Sequence, residues 1–200
     1  MFLLAGMAGA GVTEMRAVPQ LPEPGLAWKN VTVDGKKTAV YSIFRDSRGI
    51  MWAGTNNGLY FYEGVAVHAV GKEELAGAQI YAIAEYDGKL YLGSNNGLLV
   101  YDYSTGEAGY CKADLSTEIR SMLLYDDQLW VGSLYGLFRL NLKNGKVSDY
   151  TLGLPHKSVY SILRDSRGIL YAGTYNGLAR LDSSTNRFTE VKAKTGNPAL

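Results

Sequence analysis

The sequence predicts an all-β protein composed of β-propeller blades, and three observations point to it: the composition, a repeated segment and the spacing of glycines. The 200 residues include 24 glycines and 15 tyrosines; tyrosine favours strands, whereas glycine favours tight turns. Four segments align with spacings of 39, 39 and 41 residues between their central glycines, which are Gly54, Gly93, Gly132 and Gly173. Four strands in about 40 residues is the period of a propeller blade.

Each repeat begins with an apolar strand followed by a turn. The strand consists of β-branched and aromatic residues, which favour β-structure, and it is predicted to begin at Val40, Ile80, Ile119 and Val159. In the first and fourth repeats the turn is Asp-Ser-Arg-Gly, at residues 46–49 and 165–168, with the aspartate and glycine that tight turns favour. The second repeat has the shorter Asp87-Gly88, which predicts a hairpin.

The remainder of each repeat predicts three further strands. An aromatic residue and a glycine mark the second strand, as in Trp52 and Gly54, and a turn such as Asn56-Asn57-Gly58 leads to the third. We expect the aromatic residue to pack between blades and the glycine to let neighbouring sheets approach closely. A more polar fourth strand, expected at the outer rim, is predicted at residues 65–70, 109–113, 147–152 and 187–192.

The domain organisation predicted from these patterns has three parts. Residues 1–25 are predicted to be an export-signal remnant and linker, because the apolar run Phe2–Ala8 leads into the small residues Ala8-Gly9-Ala10, a pattern typical of signal cleavage sites. That run is shorter than the roughly 20 residues that span a bilayer. The positively charged segment that precedes an export signal is missing, so the expectation of export requires a start further upstream, and a disordered apolar tail is the alternative. Residues 26–194 are the propeller repeats, with blades at about 38–75, 78–114, 117–153 and 157–192, and residues 195–200 are predicted to link to a next blade.

The first repeat is preceded by a segment, Leu26–Gly35, that resembles a spare outer strand. The fourth repeat already has its own outer strand, so none of the four repeats lacks a strand that this segment could supply. We therefore expect an open fragment of a larger propeller. A small closed ring of four blades is the alternative.

Composition and residue types argue against several function classes. The net charge of +1 and the charged fraction of 20% give no electrostatic signal for nucleic acid. The single cysteine, Cys111, is expected to be a buried free thiol. His68 and His156 lie in different repeats, without ligand spacing for a metal, and no nucleophile elbow or phosphate loop is present. We predict no catalytic residue, metal or cofactor; a lyase using His156 and Glu118 is the least favoured alternative.

The segments at residues 40–59 and 159–178 share Val-Tyr-Ser-Ile, then Arg-Asp-Ser-Arg-Gly-Ile, Ala-Gly-Thr and Asn-Gly-Leu. This unit resembles the two-component regulator propeller repeat, and the resemblance covers about residues 26–194. The second and third repeats depart from it because neither keeps the full Asp-x-x-Gly turn. That family forms the periplasmic sensor region of bacterial hybrid two-component systems, in which many blades precede a membrane helix and a histidine kinase.

The resemblance implies a periplasmic, exported segment that recognises a carbohydrate-derived ligand and passes the signal to a downstream histidine kinase. Any kinase activity, and any contact with a membrane, would then belong to regions outside this sequence. The expected partners are a small carbohydrate-like ligand or a sister subunit, with a homodimer in the full-length protein and no nucleic acid. A protein-interaction or dimerisation scaffold is the alternative, and a propeller lyase or hydrolase is a third.

The ligand is expected on one face of the blades, where two sets of loops meet. These are the loops before each third strand and the loops that lead into each first strand. Asparagine amides both donate and accept hydrogen bonds, and an exposed tyrosine offers a ring with a hydroxyl, a combination suited to sugars. The predicted ligand-binding residues are Asn57, Asn96, Tyr135, Tyr175, Asn176, His156 and Arg120.

Two structural alternatives remain open for these residues. The asparagines, including Asn56 and Asn95, suit turns that need a positive φ angle. Arg120 interrupts a row of tyrosines at equivalent positions in the first strands. It is expected either to face the central channel or to pair with Asp126 or Asp127.

Overall fold

The computed structural model describes residues 38–62, 64 and 66–192. The predictions made for residues 1–25, for Leu26–Gly35 and for residues 195–200 lie outside the described residues. Within the described part, strands form four four-stranded antiparallel sheets, each hydrogen-bonded in sequence order. We number these sheets as blades 1 to 4.

The four blades have closely similar strand lengths. Blade 1 comprises β1 (Val40–Arg45), β2 (Met51–Thr55), β3 (Gly58–Tyr62) and β4 (Val67–Ala69). Blade 2 follows a short 3-10 helix (Glu73–Leu75) and comprises β5 (Ile80–Tyr86), β6 (Lys89–Ser94), β7 (Gly97–Asp102) and β8 (Glu107–Tyr110). Blade 3 comprises β9 (Ile119–Tyr125), β10 (Gln128–Ser133), β11 (Leu137–Asn141) and β12 (Val147–Asp149). Blade 4 comprises β13 (Val159–Arg164), β14 (Leu170–Thr174), β15 (Gly177–Asp182) and β16 (Arg187–Glu190).

The predicted fold class, all-β with four four-stranded antiparallel propeller repeats, is confirmed. Among the described residues, no strand of one blade is hydrogen-bonded to a strand of another, so the sheets are not joined to one another. The outer strand of blade 2 begins two residues earlier than predicted, at Glu107. The reason is a tight turn in which the Asp102 carboxylate accepts hydrogen bonds from Ser104 and Thr105, and Gly106 closes the turn with a φ angle of 68°.

Consecutive blades pack face to face, and each interface holds one apolar core. We call the face toward the preceding blade the front face and the face toward the following blade the back face. Between blades 1 and 2, Trp52 and Leu59 of the back face pack with Ile80 and Leu92 of the front face. Equivalent clusters lie between blades 2 and 3 and between blades 3 and 4. Each fully buried leucine contributes about 1.5–3 kcal/mol, so the interfaces hold the blades together.

The central glycines bring neighbouring blades into close contact, as the sequence predicts. An ideal Cβ on each would lie 2.6–2.8 Å from a γ-methyl carbon of the first residue of the next blade, in the pairs Gly54–Ile80, Gly93–Ile119 and Gly132–Val159. These distances are too short for any side chain. We call this arrangement, in which the first residue of one blade fills the space above the glycine of the preceding blade, the glycine socket.

The Asp-Ser-Arg-Gly turn is built around a buried carboxylate. Asp46 accepts hydrogen bonds from the backbone amides of Arg48 and Ile50, from the Arg48 guanidinium and from the Trp52 indole. Burial opposes ionisation, but these hydrogen bonds hold the pKa of Asp46 below its ordinary value. The turn also joins two blades, because Ser47 donates hydrogen bonds to Glu85 of blade 2.

Candidate functional site

The two sets of loops predicted to share a face do lie together. In each blade, the first residue after the second strand donates its backbone N–H to a carbonyl just before the first strand: Asn56 to Ala39, Asn95 to Gln79, Leu134 to Glu118 and Tyr175 to Ser158. The N···O distances are 2.9–3.1 Å. We call this side of the blades the loop face. The Asp46 turn lies at the opposite end of β1 and β2, and we call that side the turn face.

Asn56 and Asn95 have a structural role on the loop face. The side-chain oxygen of Asn56 accepts the backbone N–H of Ala39 at 3.0 Å, and that of Asn95 accepts the N–H of Gln79 at 2.9 Å. Each asparagine therefore joins the start of the first strand to the turn between the second and third strands through two hydrogen bonds, one from its backbone N–H and one to its side-chain oxygen. In blade 4 the same position is Tyr175, which is 74% exposed, so this residue is available for another role.

Blades 3 and 4 place two exposed tyrosines beside a lysine and a histidine. The Lys157 ammonium lies 5.1 Å from the centre of the Tyr135 ring, and the ring centres of His156 and Tyr175 are 5.3 Å apart. Tyr135 is 62% exposed. Lys157 follows His156 in the chain, so adjacent residues link the two contact pairs. We call these four residues the Tyr135–Tyr175 patch. It combines aromatic rings, a cation and hydrogen-bonding groups.

The histidine in this patch has a defined orientation. The backbone N–H of Ser158 donates to Nδ1 of His156 at 3.0 Å, so Nδ1 is an acceptor and the proton of the neutral ring lies on Nε2. The Ser158 hydroxyl in turn donates to the carbonyl of Leu134 in blade 3, at 2.9 Å. The segment that bears His156 and Lys157 is thus fixed against the turn that bears Tyr135. The patch is held by backbone contacts at the junction of blades 3 and 4.

Arg120 lies elsewhere on the same side of the protein and has a different carboxylate partner from those predicted. It forms an ion pair with Glu118, and its guanidinium lies 4.1 Å above the Tyr81 ring. The prediction of a pair with Asp126 or Asp127 is wrong for Asp127, which accepts a hydrogen bond from Tyr86 and pairs with Lys143.

The position of Arg120 is a β-bulge in every blade. Pairing of the first two strands skips one residue, and the skipped residues are Tyr41, Tyr81, Arg120 and Tyr160. Bulges redirect a side chain relative to the rest of its strand. The rings of Tyr41 and Tyr81 lie 5.1 Å apart, so the bulges form a row in which Tyr41, Tyr81 and Arg120 are in contact. Within this row, the Nε atom of Arg120 is buried and has no hydrogen-bond partner.

The predicted asparagines of the third-strand turns are not gathered into the Tyr135–Tyr175 patch. Asn57 borders a shallow pocket of about 400 Å³ with Lys72 and Glu73, and Asn96 borders one of about 470 Å³ with Lys112 and Asp114. Each pocket is bounded by the segment that follows the blade's own outer strand. Asn176 is exposed in the equivalent turn of blade 4. The seven predicted residues therefore occupy several locations on the loop face.

The two residues that the lyase alternative requires, His156 and Glu118, each have another contact. In the part of the chain that the structure describes, no three His, Cys, Asp or Glu side chains are grouped closely enough to hold a metal ion. Glu118, which the lyase alternative requires, is paired with Arg120. Cys111 is a half-buried free thiol, and His68 stacks on Phe61 with ring centres 5.1 Å apart.

Lys157 is a member of the patch that the predicted site omitted. Its position beside His156 in the sequence was a usable signal, because two adjacent residues in a short loop reach the same surface. The contact of Lys157 with Tyr135 joins two different blades, and the repeat pattern by itself gives no information on such a contact.

No helix within the described residues has the length and apolarity needed to cross a bilayer.

The family comparison matches two segments of the chain. The model of the two component regulator propeller matches residues 34–57 and 153–176. These segments contain β1 and β2 of blade 1 and β13 and β14 of blade 4, with both Asp-Ser-Arg-Gly turns. No curated protein matches the sequence.

Solved structures of sensor domains are similar to most of the chain. The extracellular domain of the hybrid two-component system BT4673 from B. thetaiotaomicron is 31% identical, with a TM-score of 0.76 over 86% of this chain and 24% of that one. The extracellular domain of the hybrid two-component system BT3049 from the same organism is 20% identical, with a TM-score of 0.71 over 84% of this chain and 27% of that one, which shows the fold alone. The chain thus spans about a quarter of the length of these structures.

A designed protein provides a third comparison. The computationally designed Ika4 protein has a TM-score of 0.60 and 13% identity, over 84% of this chain and all of the designed one. At this identity the likeness shows only the propeller fold. Of these three structures, the extracellular domain of BT4673 is also similar in sequence.

Proposed function

We propose, on the premise that this chain is built from two-component regulator propeller repeats, that it is a ligand-sensing segment of an extracellular sensor of a bacterial hybrid two-component system. Its similarity to the extracellular domain of BT4673 supports the sensor assignment. The proposed location is the periplasm, and the signal would pass to a histidine kinase elsewhere in the whole protein. The role we assign to this segment is binding, without catalysis.

The observation that carries the proposal is the Tyr135–Tyr175 patch. Exposed aromatic rings are favourable surfaces for the apolar faces of sugars, while hydroxyl, ammonium and imidazole groups supply hydrogen bonds. Tyr135 and Tyr175 are more than half exposed. The loop that bears His156 and Lys157 is nevertheless fixed by the hydrogen bonds of Ser158. A pre-organised surface loses little conformational entropy on binding. We therefore propose a carbohydrate-derived ligand for this patch.

The ligand-binding assignment is tested by calorimetric titration of the chain with a panel of neutral and carboxylated oligosaccharides. We expect at least one panel member to bind, and the Tyr135→Ala, Tyr175→Ala double variant to lose affinity by about tenfold or more, as when aromatic anchors are removed. The matched control is Tyr125→Ala, which removes an exposed tyrosine from the end of β9 opposite the loop face. It is expected to bind as the wild type does.

Two results would overturn this assignment. One is the absence of heat of binding across the whole panel with a folded wild-type protein. The other is equal affinity in the wild type and the double variant. Circular dichroism melting curves of all three proteins establish that the variants are folded.

A further inference from the structure

A shallow groove of about 400 Å³ lies at the outer rim of the junction between blades 3 and 4, and two arginines border it. Arg139 comes from β11 of blade 3, and Arg187 begins β16 of blade 4. The aromatic residues of this junction are packed between the two blades and are at most 7% exposed: Trp130, Tyr150 and Phe188. The groove is therefore built on a closely packed interface inside the chain.

The guanidinium of Arg139 contacts aromatic rings but has no carboxylate partner. It lies 5.0 Å from the centre of the Tyr150 ring and 5.7 Å from that of Trp130. Among the described residues no carboxylate forms an ion pair with Arg139, whereas three other arginines each pair with a carboxylate two residues away: Arg48, Arg120 and Arg167. Arg139 is half-buried, and a charge that is partly removed from water favours a partner of opposite charge.

Asp149 also borders the groove, but it does not neutralise Arg139. In the pairing of β11 with β12, Arg139 lies opposite Ser148, and Asp149 lies opposite Phe138. Successive side chains of a strand point to opposite faces of the sheet, so Asp149 projects from the other face of blade 3. One oxygen of its carboxylate accepts the backbone N–H of Thr151 at 2.7 Å. The positive charge of the groove is thus left without a partner on its own face.

The part of the groove that leads to Arg187 is held in place by hydrogen bonds. The Tyr150 hydroxyl donates to Oδ1 of Asn186 at 3.3 Å and accepts from its Nδ2 at 3.1 Å. Asn186 has a φ angle of 51°, a conformation that asparagine tolerates better than most residues. Arg187 follows it directly. Two guanidinium groups from different blades therefore border one ordered surface, together with the Ser148 hydroxyl.

We propose that this groove binds a tetrahedral oxyanion, a phosphate or sulfate group, between Arg139 and Arg187. The N–H groups of arginine form charge-assisted hydrogen bonds with such oxygens, and the Ser148 hydroxyl can donate a further one. A tetrahedral group presents oxygens in several directions and can engage two guanidinium groups at once, whereas the two oxygens of a carboxylate suit one. None of these residues belongs to the Tyr135–Tyr175 patch, so either binding assignment can fail without the other.

Binding is tested by calorimetric titration of the full chain with phosphate, sulfate, glucose 6-phosphate and acetate at constant ionic strength. We expect phosphate and sulfate to bind, and acetate to bind about tenfold more weakly. Arg139→Gln is expected to weaken phosphate binding by about tenfold and Arg187→Gln by about threefold, because each removes charge-assisted hydrogen bonds. Arg187 is exposed, so its variant is expected to fold even if loss of the ring contacts destabilises the Arg139 variant.

The matched control is Arg180→Gln, which removes the same charge from an exposed position of β15 outside the groove. It should bind phosphate as the wild type does. Tighter binding of glucose 6-phosphate than of phosphate would support an esterified group as the ligand, and equal binding would support the free ion. The inference is overturned by the absence of phosphate binding, by equal affinity for acetate and phosphate, or by equal affinity of the wild type and the folded groove variants.

Discussion

On the turn face, blades 1 and 4 share the sequence Asp-Ser-Arg-Gly and the hydrogen bonds between the aspartate and its own turn. On the loop face, by contrast, the turns of blades 1 and 2 differ from those of blades 3 and 4. Asp46 and Asp165 each accept the backbone amides two and four residues later. On the loop face, an asparagine that fastens the first strand in blades 1 and 2 is replaced in blade 4 by the exposed Tyr175.

The difference separates structural residues from candidate functional ones. The residues that recur in the repeats form the turns, the sockets and the cores between blades. The proposed binding residues lie where the repeats depart from one another. In a repeat protein, the departures from the consensus are therefore the first place to look for a ligand site.

The largest effect on stability is expected at the buried turn. Asp46→Asn removes the charge that accepts hydrogen bonds from Arg48 and Trp52, and we expect a loss of about 1–3 kcal/mol in the free energy of unfolding. Asp165→Asn changes the same turn in blade 4, where the carboxylate is less buried, and should have a smaller effect. Urea unfolding of both variants measures the difference. Equal losses in the two variants would show that burial of the aspartate does not determine how much this turn contributes to the free energy of unfolding.

Ligand affinity and stability should respond oppositely to changes on the two faces, and measuring both in Asp46→Asn and in the double tyrosine variant tests this. The turn face and the loop face are at opposite ends of the blades, so Asp46→Asn should bind the oligosaccharide as the wild type does while it is folded. The Tyr135→Ala, Tyr175→Ala variant should show the opposite behaviour, with weaker binding and an unchanged melting temperature.

Acid is expected to lower the free energy of unfolding by a smaller amount than Asp46→Asn does. The pKa of Asp46 is lowered, since hydrogen bonds outweigh burial, and hydrogen bonds from Ser104 lower the pKa of Asp102 to about 2. A carboxyl whose pKa is lower in the folded than in the unfolded state, where it is about 3.9, contributes stability that is complete above that value and is lost as the pH falls through the folded pKa. The wild type should therefore lose stability between about pH 5 and pH 2.

Asp46→Asn isolates one carboxyl from this titration. Because the variant lacks the group, its free energy of unfolding should fall less steeply with acid than that of the wild type, and the two proteins should converge at low pH. Urea unfolding at neutral pH and at several acidic values measures both curves. A difference that stays constant with pH would show that the ionised form of Asp46 is not what stabilises the turn.

The fold was predictable because its determinants are local and repeated. The socket glycines recur at nearly constant spacing, and Asp46-Ser47-Arg48-Gly49 specifies a turn by itself. The outer strands were less predictable, as blade 2 shows, because they are only three or four residues long and polar. In such strands the turn before the strand, here the one at Asp102, determines where the strand begins.

The site was predictable only in part. Tyr135, Tyr175 and His156 follow from exposed positions in the loops, but the pairing of Tyr135 with Lys157 depends on how blade 4 sits on blade 3. Arg120 pairs with Glu118 and not with Asp127, which one of the two alternatives named, for a related reason. The bulge at this position redirects the side chain toward Glu118, and a sequence pattern based on regular strand alternation does not anticipate a bulge.

The central claim is that ligand binds at the loop face of blades 3 and 4, and hydrogen–deuterium exchange with mass spectrometry tests it most directly. The chain is labelled with and without an oligosaccharide that binds in the calorimetric panel. We predict that protection by ligand is confined to residues 133–136, 156–158 and 174–177, with no change at residues 46–49 and 165–168. Protection at the turn face, with none in the three loop segments, would contradict the account.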